Sequence, residues 1–265
     1  MSSESSGYEP RIESTGEGTP VVLVPGIDGT GLLFHRQVPL LASDHRVTTY
    51  RLRDDASSMA VLVEDLRRVV DTTSGAGASA VVVGESFGGA LALSFALAHP
   101  DRVRRLVVIN SFPYFEPQIR LRLGVHGLRA MPWGAMPLAR RLTAFRLHSG
   151  HTHRHEVERF LEVTRATTKQ GYLGRLRLLT RYDVRDRLSE LRPPTLFLAS
   201  ELDHLVPSVE QARLMADRVP GATLRILDGH GHICLIAPDI DLSEILRAWQ
   251  RDVDQSVASP FRGAD

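Results

Sequence analysis

The sequence predicts an α/β protein in which a mostly parallel sheet is covered by helices on both faces. Three observations predict it. Apolar runs such as Val21-Val22-Leu23-Val24, Val81-Val82-Val83 and Leu106-Val107-Val108-Ile109 are continuous rather than alternating, as befits strands buried on both sides. Segments with a 3.6-residue repeat separate them, the clearest through Met59, Leu62, Val63, Leu66, Val69 and Val70. Two of the runs end in glycine-bearing turns that lead directly into helical patterns.

Taken in order, Arg11 to Thr15 alternates and reads as a short edge strand, with Gly16-Glu17-Gly18 as the turn into the core. Val21 to Val24 follows, then a helical pattern starting near Leu32, a strand Arg46 to Tyr50 and a helix Ser57 to Asp71. The small residues Ser74 to Ser79 break that helix before Val81 to Val83, which feeds a helix Ala90 to His99. Strands are further expected at Val103 to Asn110, Pro194 to Ser200 and Ala222 to Leu227, with helices at Val209 to Val219 and from about Leu242 to Arg251. The expected division is a core of residues 8–111 and 193–252, an inserted unit 112–192, and flexible tails 1–7 and 253–265.

With 43% hydrophobic and 24% charged residues, the composition is that of an ordinary globule, and the net charge of +1 argues against general attraction to nucleic acid or anionic membranes. Cys234 is the only cysteine, which excludes an intrachain disulfide and a cysteine-based zinc site. No run approaches membrane-spanning length and Met1 to Ser6 lacks the features of a signal peptide, so the expected location is the cytoplasm.

The chemistry is expected around Gly84-Glu85-Ser86-Phe87-Gly88, a G-x-S-x-G pattern between strand and helix. That context presents a serine hydroxyl on a sharp turn, as a nucleophile requires; the competing reading is a serine that merely caps the helix. A second loop, Pro25-Gly26-Ile27-Asp28-Gly29-Thr30-Gly31, follows the first buried strand. It lacks the Gly-Lys-Ser/Thr ending of a phosphate loop, and is read as the source of one oxyanion donor, the Ile27 N–H, with the Phe87 N–H as the other.

Residues 112–192 show no clear strand and read as an inserted helical cap. Between Gln118 and Arg192 lie fifteen arginines and Lys169 against six acidic residues, so an anionic substrate or acidic carrier competes with a merely solvated surface. His148, His151, His153 and His155 form a tempting cluster, but no H-E-x-x-H pattern or cysteine accompanies them, and a solvated surface is the expectation. No metal or cofactor is expected.

Glu201 and Asp203 end the Pro194 to Ser200 strand, where a carboxylate can orient an imidazole; either could instead cap the following helix, and Asp203 is favoured. His204 is read as a neighbour. Asp228-Gly229-His230-Gly231-His232 carries two candidate bases, of which His232 is favoured because the apolar run Ile233 to Pro238 can anchor it.

The order Ser86, Asp203, His232, together with the Gly84 to Gly88 elbow, Glu201 to Pro207 and Gly231-His232 followed by Ala237-Pro238-Asp239, resembles the α/β-hydrolase superfamily over nearly the whole chain. The resemblance implies an eight-stranded sheet, a cap inserted after the sixth strand and an acid after the seventh. Pro25-Gly26 departs from the His-Gly of many members, and the Pro25 to Gly31 run resembles esterase and acyltransferase relatives that include phytyl ester synthases. The capped, basic architecture is also similar to the carboxylesterase that demethylates a carrier-bound pimeloyl ester. The activity implied is serine-dependent cleavage of a small-molecule ester or thioester. An acyltransferase, a C–C hydrolase or lyase, and a ligand-binding receptor on the same scaffold are the alternatives.

Overall fold

The structure is a computed structural model that describes residues 9–115, 127, 129, 132–136, 138 and 150–258. Among these residues the strands are β1 (Ile12–Thr15), β2 (Thr19–Val24), β3 (His45–Tyr50), β4 (Ala80–Glu85), β5 (Val103–Ile109), β6 (Thr195–Ser200) and β7 (Thr223–Leu227). They form one sheet in the order β1-β3-β2-β4-β5-β6-β7, antiparallel at β1 and parallel elsewhere. Every strand read from the residues is present. The eighth implied by the resemblance is not found among the described residues. The inserted segment accordingly follows the fifth strand, and Asp203 follows the sixth.

Among the described residues the helices with defined bounds are α1 (Gln37–Leu41), α2 (Met59–Ser74), α3 (Phe87–Ala98), α4 (Arg154–Val163), α5 (Lys169–Leu179), α6 (Ser208–Arg218) and α7 (Leu242–Ala258). On one face of the sheet Leu66, Phe95 and Met215 from α2, α3 and α6 pack with Val22, Val82, Val108 and Phe197. On the other, Leu41 of α1 and Leu246 and Trp249 of α7 pack with Val21, Val81, Val107 and Leu196. Successive strand residues feed opposite cores, which explains the unbroken apolar runs. Each such side chain taken out of water stabilises the fold by about 1.5–3 kcal/mol.

α2 begins where the Ser58 hydroxyl accepts the Val61 N–H. α7 continues to Ala258, past the expected end at Arg251, so that the first part of the expected loose tail is helical. Val253, four residues after the buried Trp249, extends the stripe that packs on the core.

After β2 the chain adds β3 on one side, then crosses to place β4 on the other. The carboxyl ends of β2 and β4 therefore flank a topological switch point, where open α/β sheets form their crevice. Between β5 and β6 the described residues hold α4, α5 and short 3-10 turns, and no strand. An isolated bridge Tyr114↔Asp183 closes the neck of this segment, Val184 N–H donates to the Pro113 carbonyl at 2.8 Å, and the Arg185 guanidinium sits 3.9 Å over the Tyr114 ring. His148, the expected tail 1–7 and residues 259–265 of the other tail lie outside the described residues. No described helix is long and apolar enough to cross a membrane.

Candidate active site

β4 delivers Ser86 to a turn with φ 55° and ψ −120°, a conformation that costs a non-glycine residue of order 1–3 kcal/mol. The surroundings hold it there: Ser86 N–H donates to the Ile109 carbonyl at 2.9 Å, and the Ser86 carbonyl accepts the Ser111 hydroxyl at 2.7 Å. A Cβ on Gly84 would strike the Gly88 carbonyl and one on Gly88 the Val24 carbonyl, so β4 and α3 approach as only glycine permits. Phe87 opens α3, and its N–H is among the first four of the helix, which have no acceptor inside it.

Three segments meet at this turn. Ser86 Oγ lies 3.0 Å from His232 Nε2, and His232 Nδ1 lies 2.6 Å from Asp203 Oδ2. With Asp203 ionised, Nδ1 donates to the carboxylate and Nε2 is left to accept from the serine hydroxyl. Asp203 Oδ2 also accepts the Ser208 hydroxyl, and Oδ1 accepts the N–H groups of Leu205 at 2.9 Å and Val206 at 3.0 Å. Burial works to raise the Asp203 pKa, but the hydrogen bond and charge of His232, with Ser208 and the Val206 N–H, outweigh it and hold it below the usual carboxylate range. Burial likewise works to lower the His232 pKa, and the bond and charge of Asp203 with the charge of Glu85 outweigh it, so the imidazole sits above its ordinary value.

The other candidates fall elsewhere. Glu201 accepts the Gly229 N–H at 2.9 Å and so braces the loop bearing His232 without touching the imidazole. His204 is exposed. His230 is buried, donates from Nδ1 to the Asp228 carbonyl at 2.8 Å, and places Nε2 3.3 Å from Asp239 Oδ1. Cys234 is buried, which pushes its thiol pKa upward and leaves it unreactive. A cavity of about 850 Å³ between α2, α3 and α5 has Ser94, His99 and Tyr182 on its wall and none of Ser86, His232 or Asp203, so it is not where the serine acts.

In the loop after β2, Gly29 N–H donates to the Gly26 carbonyl at 3.0 Å. Asp28 folds back so that Oδ2 accepts the N–H of Thr30 at 2.9 Å and its hydroxyl. Its carboxylate is therefore a turn former.

Two further polar groups are buried, one at a variable position of the G-x-S-x-G pattern and one at a strand end. Glu85 is 5% exposed, its Oε1 has no hydrogen bond among the described residues, and burial, opposed by the charge of His232 and joined by those of Asp28 and Asp203, pushes its pKa up to about 7. Asn110, with φ 47° just past β5, donates from Nδ2 to the His232 carbonyl at 2.7 Å and the Ser200 hydroxyl at 2.9 Å, while Oδ1 accepts the Ser200 N–H at 2.7 Å. A positive φ outside glycine is visible in coordinates and not in sequence; the signal available was only an Asn at a strand end.

Of the four clustered histidines, His153 and His155 are exposed, and His151 joins His230 and Asp239 in a group of three potential metal ligands. The His151 and His230 rings are stacked, with centroids 4.4 Å apart and planes at 24°. Their three candidate ligand atoms lie within 4.8 Å of one another, and both imidazoles meet the Asp239 carboxylate. The trio is a hydrogen-bonded bridge, with His151 Nδ1 2.7 Å from Asp239 Oδ2.

Residues 19–237 match the alpha/beta hydrolase fold family. The chain is similar to a protein of Azorhizobium caulinodans provisionally named carbamate hydrolase RutD, at 28% identity over 92% of this chain and 95% of the relative. It is similar to a protein of the same provisional name from Caulobacter sp. strain K31, at 31% identity over 80% of this chain and 83% of the relative. Among solved structures it is similar to a thermophilic esterase from Thermogutta terrifontis, with TM-score 0.79 and 24% identity over 92% of this chain and 93% of that one. A bromoperoxidase from Bacillus anthracis superposes with TM-score 0.78 at 19% identity over 91% of this chain and 95% of that one. These structural likenesses concern the fold alone.

Proposed function

The chain belongs to the alpha/beta hydrolase fold family, and from that premise we propose that it is a serine hydrolase of carboxylic esters, with Ser86 as nucleophile, His232 as base and Asp203 as the orienting acid. The observation that carries this reading is the continuous path from Ser86 Oγ to His232 Nε2 at 3.0 Å and from His232 Nδ1 to Asp203 at 2.6 Å. His232 takes the hydroxyl proton as Oγ attacks the ester carbonyl, then gives it to the departing alcohol. The N–H groups of Ile27 and Phe87 hold the oxyanion, each donor contributing on the order of 10²–10³ in kcat. Water, activated by the same imidazole, releases the acid. Asp203 keeps the tautomer and stabilises the imidazolium.

Residues 112–192 are read as a cap. Supporting this, Phe160 of α4 packs with Leu33, Ile233 and Ile236, beside the loops that carry Ile27 and His232. Within the described part of the segment Arg154, Arg185 and Arg187 pair with Glu158, Asp183 and Glu190. These three, together with the buried Arg175 paired to Asp54, therefore contribute little to the excess positive charge that would favour an anionic or carrier-bound acyl group.

A second reading draws on the relatives' name: a carbamate carbonyl offered to the same serine. Its nitrogen lone pair makes that carbonyl less electrophilic and the carbamyl-enzyme slower to hydrolyse. Purified wild type and Ser86→Ala would be compared on p-nitrophenyl acetate, p-nitrophenyl butyrate and a p-nitrophenyl N-methylcarbamate. Ester turnover should fall by about 10⁴-fold or more in the variant. A stalled carbamyl adduct on Ser86 with fast ester turnover favours the ester reading, and faster carbamate turnover favours the second. Undiminished hydrolysis by Ser86→Ala rules out both.

A further inference from the structure

We propose that Arg175 is a positioning residue for the oxyanion site: from α5 its guanidinium fixes the loop that presents the Ile27 N–H, so the segment between β5 and β6 governs the rate of chemistry as well as access to it. The inference rests on the serine-hydrolase reading above.

Three consecutive peptide units of that loop are pinned. The Gly26 carbonyl accepts Gly29 N–H at 3.0 Å, and because N–H and C=O of a trans peptide point opposite ways, the Ile27 N–H faces away from the turn. In the next unit the Ile27 carbonyl accepts Arg175 Nε at 2.9 Å, and in the one after it the Asp28 carbonyl accepts Arg175 Nη2 at 3.1 Å. Nη1 anchors the fork from behind, 3.4 Å from both the Arg53 carbonyl and Asp54 Oδ1.

The site is shaped for this group. Arg175 is 2% exposed, and burial pulls its pKa down against the charges of Asp28 and Asp54. Gly29 has φ 71°, and a Cβ there would come within 2.6 Å of the guanidinium carbon; one on Gly171, a turn earlier in α5, would strike the Asp54 carboxylate. A planar fork can serve two successive carbonyls at once, whereas a lysine ammonium is a single point. With the fork removed, both carbonyls lose a buried donor and the loop is free to rotate the peptide that carries the Ile27 N–H.

The experiment measures kcat and KM on p-nitrophenyl butyrate for wild type, Arg175→Met and Asp54→Asn, with each preparation titrated to completion by a fluorophosphonate so that kcat is expressed per reactive serine. Arg175→Met should lower kcat by about 10- to 100-fold with KM within about 3-fold, and weaken a trifluoromethyl ketone, which needs the oxyanion donors, by a similar factor. Methylguanidinium added to Arg175→Ala should restore part of kcat and leave KM unchanged. Asp54→Asn, milder and informative where Arg175→Met cannot be purified, should show the same pattern at about 5-fold. A purely structural arginine would lower the labelled fraction while each labelled molecule turned over normally. Wild-type kcat per labelled site in Arg175→Met, or in Asp54→Asn where only that variant is obtained, overturns the inference. A wild type that takes no label on Ser86 and hydrolyses no ester instead overturns the serine-hydrolase reading, and this inference with it.

Discussion

Replacing Asn110 tests how firmly the loop bearing His232 is tied to the sheet. The Asn110 side chain continues the β5–β6 ladder beyond the end of β5: it receives the Ser200 N–H and passes a hydrogen bond to the His232 carbonyl. Asn110→Ala leaves that buried donor and acceptor unpaired, at about 1–3 kcal/mol each. It also places a Cβ without a compensating polar group at φ 47°, a further cost of about 1–2 kcal/mol. The sum, about 3–8 kcal/mol, is a large part of the about 5–15 kcal/mol that holds a typical domain. Asn110→Gly loses the same hydrogen bonds but tolerates the backbone angle, so despite the entropy glycine loses on folding it should be the more stable of the two by about 1 kcal/mol. Urea unfolding followed by fluorescence, to which the buried Trp249 contributes, reads both numbers. A destabilisation below about 1 kcal/mol in Asn110→Ala, or a glycine variant weaker than the alanine one, would refute the reasoning.

Two predictions concern pH. The folded pKa of His232 is raised, and catalysis needs the neutral imidazole, so kcat/KM should fall on the acid side at a pH above about 6.5. Asp203→Asn removes the main group that raises it: the acid limb should move to lower pH while kcat drops by about 10³–10⁴-fold, and an upward move would contradict the geometry. Glu85→Gln removes a second, smaller contribution of the same sign, and because Glu85 itself ionises at about 7, the limb should shift down by less than in Asp203→Asn and become less broad. A pH–rate profile identical to wild type would show that Glu85 does not act on the imidazole.

Most of the scaffold could be read from the chain because it follows from local pattern. Valine runs give strands, a 3.6-residue repeat gives α2, and two glycines around a serine give a close crossing of β4 and α3. The resemblance implies eight strands, and the described residues hold the seven that the residues themselves named. Glu201 and Asp203, of which the sequence favours Asp203, differ in reach: one meets Gly229 and the other His232. What stayed hidden are polar contacts between distant segments. Arg175 on Ile27, Asn110 under His232, and Glu156, buried in α4 with His35 at 2.9 Å and Arg36 at 2.8 Å, leave no periodic trace. Arg175 was one of fifteen arginines in a basic stretch, and its inward direction depends on a carbonyl 148 positions away. The helical end of α7 was missed for the converse reason, since a single valine four residues after Trp249 is a weak signal.

The neck at Tyr114 and Asp183 bears on how such a molecule can diversify. The excursion departs from the sheet and comes back to it at touching points, so the span that β5 and β6 must bridge is settled before any of the intervening polypeptide is specified. Lengthening the excursion costs little closure entropy, about 0.6 kcal/mol for each doubling of a flexible stretch. New surfaces can thus be tried on one side of the junction while Ser86, His232 and Asp203 stay in register on the other. The guanidinium that reaches back across is the element such a graft would have to reproduce.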